Sequence, residues 1–216
     1  MSDSEEHLDV KEKAFAEILQ TGSATLEEAW RGGIGMAAAT MSMLQSGKLG
    51  GRNQILYGGV GAALNLIIKM ATCSWGCKGG DHDVECLLRR ACNAALGSLD
   101  LARLGYYDEA IALVRGVGEI SNLLILFYAD NTHLIQWKTM PEKERKEKYS
   151  PAAVRKLIQK ANKPLGIDEM NYKALCSFGV HVTPESLRTP HHHDGKGYIG
   201  PAFSVTGFAL LLNEIQ

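Results

Sequence analysis

Proline is scarce in this chain, six in 216 residues, and three of the six fall within 182–202. Proline breaks helix interiors, so its rarity elsewhere leaves room for long helices. No stretch alternates apolar and polar residues long enough to build a sheet. No internal repeat is present. An excess of one charge is also missing: 23 Lys and Arg stand against 24 Asp and Glu, a net −1. That balance removes a broad footprint for nucleic acid at the level of the whole chain, while leaving a local patch open. It gives no sign of binding at a membrane surface.

Long hydrophobic runs are lacking as well. The uncharged windows 32–47 and 53–68 are 16 residues each and rich in Gly and Ala, whereas spanning a bilayer takes roughly 20 apolar residues. Both read as buried bundle helices. The opening MSDSEEHLDVKEK is acidic and polar, without the basic region and apolar run of a secretory signal. Five cysteines are an odd number. Without an export signal they are expected as reduced thiols in the cytoplasm.

What is present is helix. An apolar content of 45% in 216 residues suffices for one domain with a real core. The pattern predicts a helix over 5–20, a break at Thr21-Gly22-Ser23, and a second helix from Thr25 to about Gln45, with Glu28 at capping-box spacing. A third covers 53–71. A loop follows, in which Asp81 or Asp83 caps a helix over 84–104. Gly105 ends that helix, and a tight turn makes 84–104 and 108–129 an antiparallel hairpin. Beyond it come a short helix or turn at 131–140, a mixed charge run at 141–148 and a helix opened by Ser150-Pro151. Further helices cover about 168–178 and 204–215, with 182–202 irregular. The expected fold is one all-α domain over 1–216, an irregular bundle of about seven to nine helices. Residues 1–70 supply N-terminal helices, and 73–216 the central hairpin and the C-terminal helices. Gly58-Gly59-Val60-Gly61 lacks the Lys-Ser/Thr and the preceding strand of a phosphate loop.

The segment 108–130 is the centre of this reading. It is apolar on almost every side, which marks the middle of a bundle. Yet it carries Arg115, Glu119 and Asn122 at i, i+4 and i+7, all on one face. An ionised pair in a core needs partners or an opening to water. Two readings stay open. In one, the three form a binding or acid–base site, with Arg115 clamping an anionic group and Glu119 moving a proton. In the other they are a satisfied network that fixes helix register.

Three further groups bear on chemistry. Cys73-x3-Cys77-x4-His82-x3-Cys86 offers zinc ligands, structural rather than catalytic, although the spacing is not that of a standard knuckle. Cys176 and His181 form a nucleophile–base pair on paper, with a buried thiol as the simpler reading. The run His191 to His193 sits in the irregular segment. Arg188-x4-His193 resembles the loose Arg-x4–6-His motif of helical ribonucleases of the HEPN group, where both residues lie on a helix. Here Pro190 intervenes. That resemblance implies Arg and His acting on a phosphodiester.

From Cys73 onward the chain also resembles a loosely defined group of uncharacterised bacterial helical proteins, a domain of unknown function. The carrying pieces are Trp75-Gly-Cys77-Lys-Gly-Gly-Asp81-His82, Gly105-Tyr-Tyr-Asp-Glu-Ala110, Leu113-Val-Arg115-x3-Glu119-x2-Asn122, Trp137 and Gly179-Val-His181-x2-Pro184. Their order is more specific than any one piece. The resemblance implies an all-helical bundle and favours Arg115, Glu119 and His181 as functional. It implies no activity.

These observations lead to three expectations. The first is a cytoplasmic binding or effector protein, its cleft lined by Arg115, Glu119, Asn122 and His181, with a small molecule or a protein as partner. The second is a ribonuclease-like effector, with Arg188 and His193 acting on a phosphodiester; for any catalysis the candidate groups are Glu119, His181 and His193. The third is a structural or homo-oligomerising helical protein, its small-residue helices suited to close contact.

Overall fold

The computed structural model describes residues 3–47, 50–77, 79–181, 184 and 204–215. Among them are nine helices and no strand, so the chain is all-α as its periodicity predicts. The elements are α1 (Asp3–Gln45), α2 (Gly51–Ala71), α3 (Asp83–Arg103), α4 (Tyr107–Ala129), α5 (Thr132–Thr139), α6 (Glu142–Lys148), α7 (Pro151–Lys160), α8 (Glu169–Gly179) and α9 (Val205–Ile215).

α3 and α4 form the antiparallel hairpin. Gly105, at φ 88°, turns the chain between them, a conformation that glycine adopts without steric cost. α4 runs through two cores. Its first two turns bury Tyr107, Ala110, Ile111 and Val114 against Cys92, Ala95 and Ala102 of α3 and against Phe208, Leu211 and Leu212 of α9. Its last turn buries Leu126 with Tyr149, Val154 and Ile158. Tyr107 also fixes α9: its hydroxyl donates to Ser204 O at 3.0 Å and accepts from Ser204 N at 2.9 Å. Burial pushes this tyrosine up to about 12.

The helices expected to start at Ser150-Pro151 and at about 168 do so, each with a side-chain cap: Ser150 Oγ accepts from Ala153 N, and Asp168 Oδ1 from Asn171 N. Two other expected starts differ. Asp81 and Asp83 do not cap α3, because both carboxylates accept from Lys138 Nζ, at 2.8 and 2.6 Å, and His82 stands at the N-cap. Thr25 starts no helix. α1 passes unbroken through Thr21-Gly22-Ser23 as one element of 43 residues. A helical glycine costs only about 1 kcal/mol relative to alanine, and the Thr25 hydroxyl donates back to Thr21 O at 3.0 Å within the helix.

The windows 32–47 and 53–68 are not buried bundle helices. In the first, Gly33, Ala37, Thr40 and Leu44 face inward and most of the rest meets solvent. In the second, only Val60 and Leu64 are buried. α2 packs one face against α3 and α9 and leaves Ile55, Leu66 and Ile68 exposed. Of the glycines in these windows, Gly33 meets a neighbour, where a Cβ would lie 3.4 Å from Leu104 Cδ2, whereas a Cβ added at Gly35, Gly58 or Gly61 would meet nothing within 4 Å. Both α2 and α4 are long and apolar enough to cross a membrane by length and composition.

The exposed part of α1 has a pattern. Phe15, Ile18, Leu26 and Trp30 recur at helical spacing and are 55–67% exposed. They continue the stripe that, from Gly33 to Leu44, is buried.

Candidate functional site

Three later segments close over the polar face of α4. α7 and the 161–168 loop cover its C-terminal half, and α8 lies along its N-terminal half, from Asp108 to Glu119. α8 can come that close because Gly179 has no side chain: a Cβ there would sit 2.7 Å from Ile111 Cγ2 and 2.8 Å from Ala112 N. The approach sets Tyr172 and Cys176 over the seam.

The structure brings Arg115 and Glu119 together, Arg115 Nη1 lying 3.5 Å from Glu119 Oε1. The Tyr172 hydroxyl donates to the same Oε1 at 3.0 Å. The seam is not sealed in the core, for the two charged side chains remain 29% and 31% exposed. Burial opposes the Arg115 charge, but Glu119, the Cys176 thiol and Tyr172 outweigh it and hold the guanidinium more firmly protonated than usual. Tyr172 is pushed up to about 12, first by burial and then by the adjacent Glu119 carboxylate.

Asn122 sits one turn further on but serves another purpose. Its Oδ1 accepts from Gly166 N at 2.9 Å and Ile167 N at 3.3 Å, and its Nδ2 donates to Ile167 O at 2.9 Å. The side chain is buried, and these three bonds dock the 161–168 loop onto α4. Asn122 is thus committed to backbone.

The residue that completes the site is Arg155 of α7. Only 7% of it is exposed. Its guanidinium carbon lies 4.6 Å from the centre of the Tyr172 ring, a cation–π stack. Its Nη1 is buried and has no hydrogen-bond partner. Arg155, Glu119, Tyr172, Asn122, Ile167 and Tyr149 line a cavity of about 80 Å³. Larger hollows exist, such as an apolar groove of about 410 Å³ bordered by Ile67, Leu88 and Tyr128. The small cavity is set apart by the buried Arg155, one nitrogen of which has no partner, standing beside the Glu119–Tyr172 pair. No family model, curated protein or solved structure matches this chain. The site's chemistry therefore rests on its own geometry.

Neither Arg155 nor Tyr172 is singled out by the motifs in the sequence. A signal exists, because Val154, Arg155 and Ile158 are the buried residues of α7. A cation set among inward positions is the same anomaly that marks Arg115.

The remaining candidates lie elsewhere. His181 is exposed just past α8, its backbone N–H bonded to Cys176 O, and it does not line the cavity. Cys176 is half-buried and bonded to Arg115 rather than aimed at His181. Arg188 and His191 to His193 lie outside the described residues. Cys73, Cys77 and His82 converge at the joint between α2 and α3, whereas Cys86 is exposed and accepts from Arg89 Nη2 at 3.1 Å.

Proposed function

We propose that this chain is a helical binding protein whose α4–α7–α8 cavity takes the anionic head group of a small organic molecule, a carboxylate foremost. The observation that carries this reading is the Arg155 guanidinium, buried with one nitrogen unpartnered beside the Glu119–Tyr172 pair. A buried guanidinium nitrogen without a partner is costly, and a planar fork of donors suits a carboxylate held by two hydrogen bonds. Pockets for drug-sized ligands run about 300–1,000 Å³. A cavity of about 80 Å³ fits a head group of a few atoms. Glu119, held by Tyr172 and Arg115 through Oε1, presents an acceptor to a hydroxyl or ammonium on the same ligand. The ligand class is thus an anion that also carries a donor.

The test is a thermal-shift and calorimetric titration of simple hydroxy- and amino-carboxylates, with inorganic phosphate alongside, against the parent and Arg155→Met. A charged hydrogen bond contributes about 1.5–3 kcal/mol, so the substitution should weaken binding roughly 10- to 150-fold. The unliganded variant should melt at the parent's temperature or above it, because an apolar side chain of similar length removes the buried charge. A melting point several degrees lower, or unchanged affinity, would return Arg155 to the scaffold and end this reading.

A further inference from the structure

We propose that Cys73, Cys77, His82 and Glu85 form a structural zinc site that fastens the end of α2 to the start of α3. This inference is independent of the α4 cavity.

The geometry suits the ion. In a tetrahedral zinc site with bonds of about 2.0–2.3 Å, neighbouring ligand atoms stand about 3.3–3.8 Å apart. Cys73 Sγ lies 3.7 Å from His82 Nδ1, and Cys77 Sγ 3.5 Å from His82 Nε2. Glu85 Oε1 lies 3.7 Å from His82 Nδ1 and 4.0 Å from Cys73 Sγ. One ligand atom from each of Cys73, Cys77 and His82 falls within 4.8 Å of the other two. Nδ1 is the ring nitrogen beside Cys73 and Glu85, whereas Cys77 faces Nε2, so the ring and the Cys77 side chain must readjust when one nitrogen takes the ion.

The backbone is bent to make this meeting. Cys73 and His82 hold φ values of 52° and 53°, a left-handed conformation that residues with side chains seldom adopt. Gly76, Gly79 and Gly80 also have positive φ. The turns fold two thiols and an imidazole from a ten-residue stretch onto one point. Glu85, in the first turn of α3, stands beside two of the three, Cys73 and His82. The two nearby carboxylates that do not belong, Asp81 and Asp83, are drawn away by Lys138.

The donor set decides the metal and its role. Thiolates and imidazole favour zinc over magnesium or calcium. Four protein ligands fill the tetrahedron and leave no open position for substrate, which is the pattern of a structural site. Glu85 takes the fourth place that spacing alone offers to Cys86, which points to solvent and pairs with Arg89.

The experiment uses the full chain, purified in a non-thiol reductant without chelator. Metal content is measured by mass spectrometry, then apo protein is titrated with cobalt(II) as a coloured stand-in. One zinc per chain is expected. Cobalt should give a thiolate charge-transfer band and strong tetrahedral d–d bands that saturate at one equivalent. Cys77→Ser and His82→Ala should lose the band or weaken cobalt binding beyond the 10–100-fold typical of losing an outer partner. Glu85→Gln should shift the d–d bands, and Cys86→Ser should leave everything unchanged. Circular dichroism confirms that each variant is folded. Zinc well below one equivalent with no cobalt band overturns the proposal. So does metal binding that survives Cys77→Ser, or that falls equally in Cys86→Ser.

Discussion

Replacing Asn122 by Ala tests which of two purposes the polar face of α4 serves. The side chain makes three hydrogen bonds to the backbone of Gly166 and Ile167 and is 3% exposed. Its loss leaves two N–H groups and one carbonyl without partners. Each buried polar group so abandoned costs about 1–3 kcal/mol. Gly166 lies nearer solvent, so the two groups of Ile167 dominate and the sum comes to about 3–5 kcal/mol, a large share of the roughly 5–15 kcal/mol that holds a domain together. In a chain of this size each kcal/mol moves the melting point by about 2–4 °C, so N122A should melt about 6–20 °C below the parent by calorimetry. Asn122→Asp adds a sign. It keeps the acceptor but turns the Nδ2 donor into a buried oxygen facing the Ile167 carbonyl. Its deficit should be largest at neutral pH and shrink on acidification, where the carboxyl is protonated and can donate. A melting point for N122A within 2 °C of the parent (about 1 kcal/mol or less) would refute the reasoning and free the amide for a ligand.

Two further predictions concern packing and titration. Gly179→Ala must push a Cβ into the backbone of α4, at Ala112 N 2.8 Å and Asp108 O 3.0 Å, and should cost about 1–3 kcal/mol; Gly116→Ala, with nothing within 4 Å, should gain up to roughly 1 kcal/mol of helix propensity. Urea midpoints separate the two, and equal midpoints would deny the close α4–α8 contact. Tyr107 and Tyr172 are both pushed up to about 12. Their raised values contribute stability that is fully present below the ordinary tyrosine range near 10 and is lost as pH climbs through about 12. Ultraviolet titration should show at least two of the seven tyrosines ionising only as the chain unfolds in alkali; all seven titrating near 10 in folded protein would contradict that.

Local order was legible in the sequence and long-range closure was not. The period of 3.6 gives α3 and α4 to within a residue or two at each end, because both have one face committed to the core. The same period says that α2 has an apolar face but not whether anything covers it. At Gly22 in α1, a turn signal and a tolerable helical glycine look alike in sequence. Arg115 and Glu119 meet at i, i+4, so their pairing could be read directly. Asn122, by contrast, bonds to residues 44 and 45 positions away, and Tyr172 reaches Glu119 across 53. No spacing rule carries that information. Glu85 is a case where spacing misleads. It looks like half of an i, i+4 pair with Arg89, yet Arg89 Nε donates to the Glu85 backbone carbonyl and its Nη2 to Cys86.

The long first helix has a consequence for how the molecule melts. Every described side chain from Lys13 to Gly32 is exposed, so unfolding there uncovers almost no new surface. Heat-capacity increments of about 12–15 cal/mol/K per residue and denaturant slopes both scale with surface exposed. For this chain they should report a protein shorter than its 216 residues, while circular dichroism reports the helix of the whole length. The unit that melts in concert begins near Gly33. Ahead of it runs a stretch of helix held by its own backbone bonds, which frays by degrees.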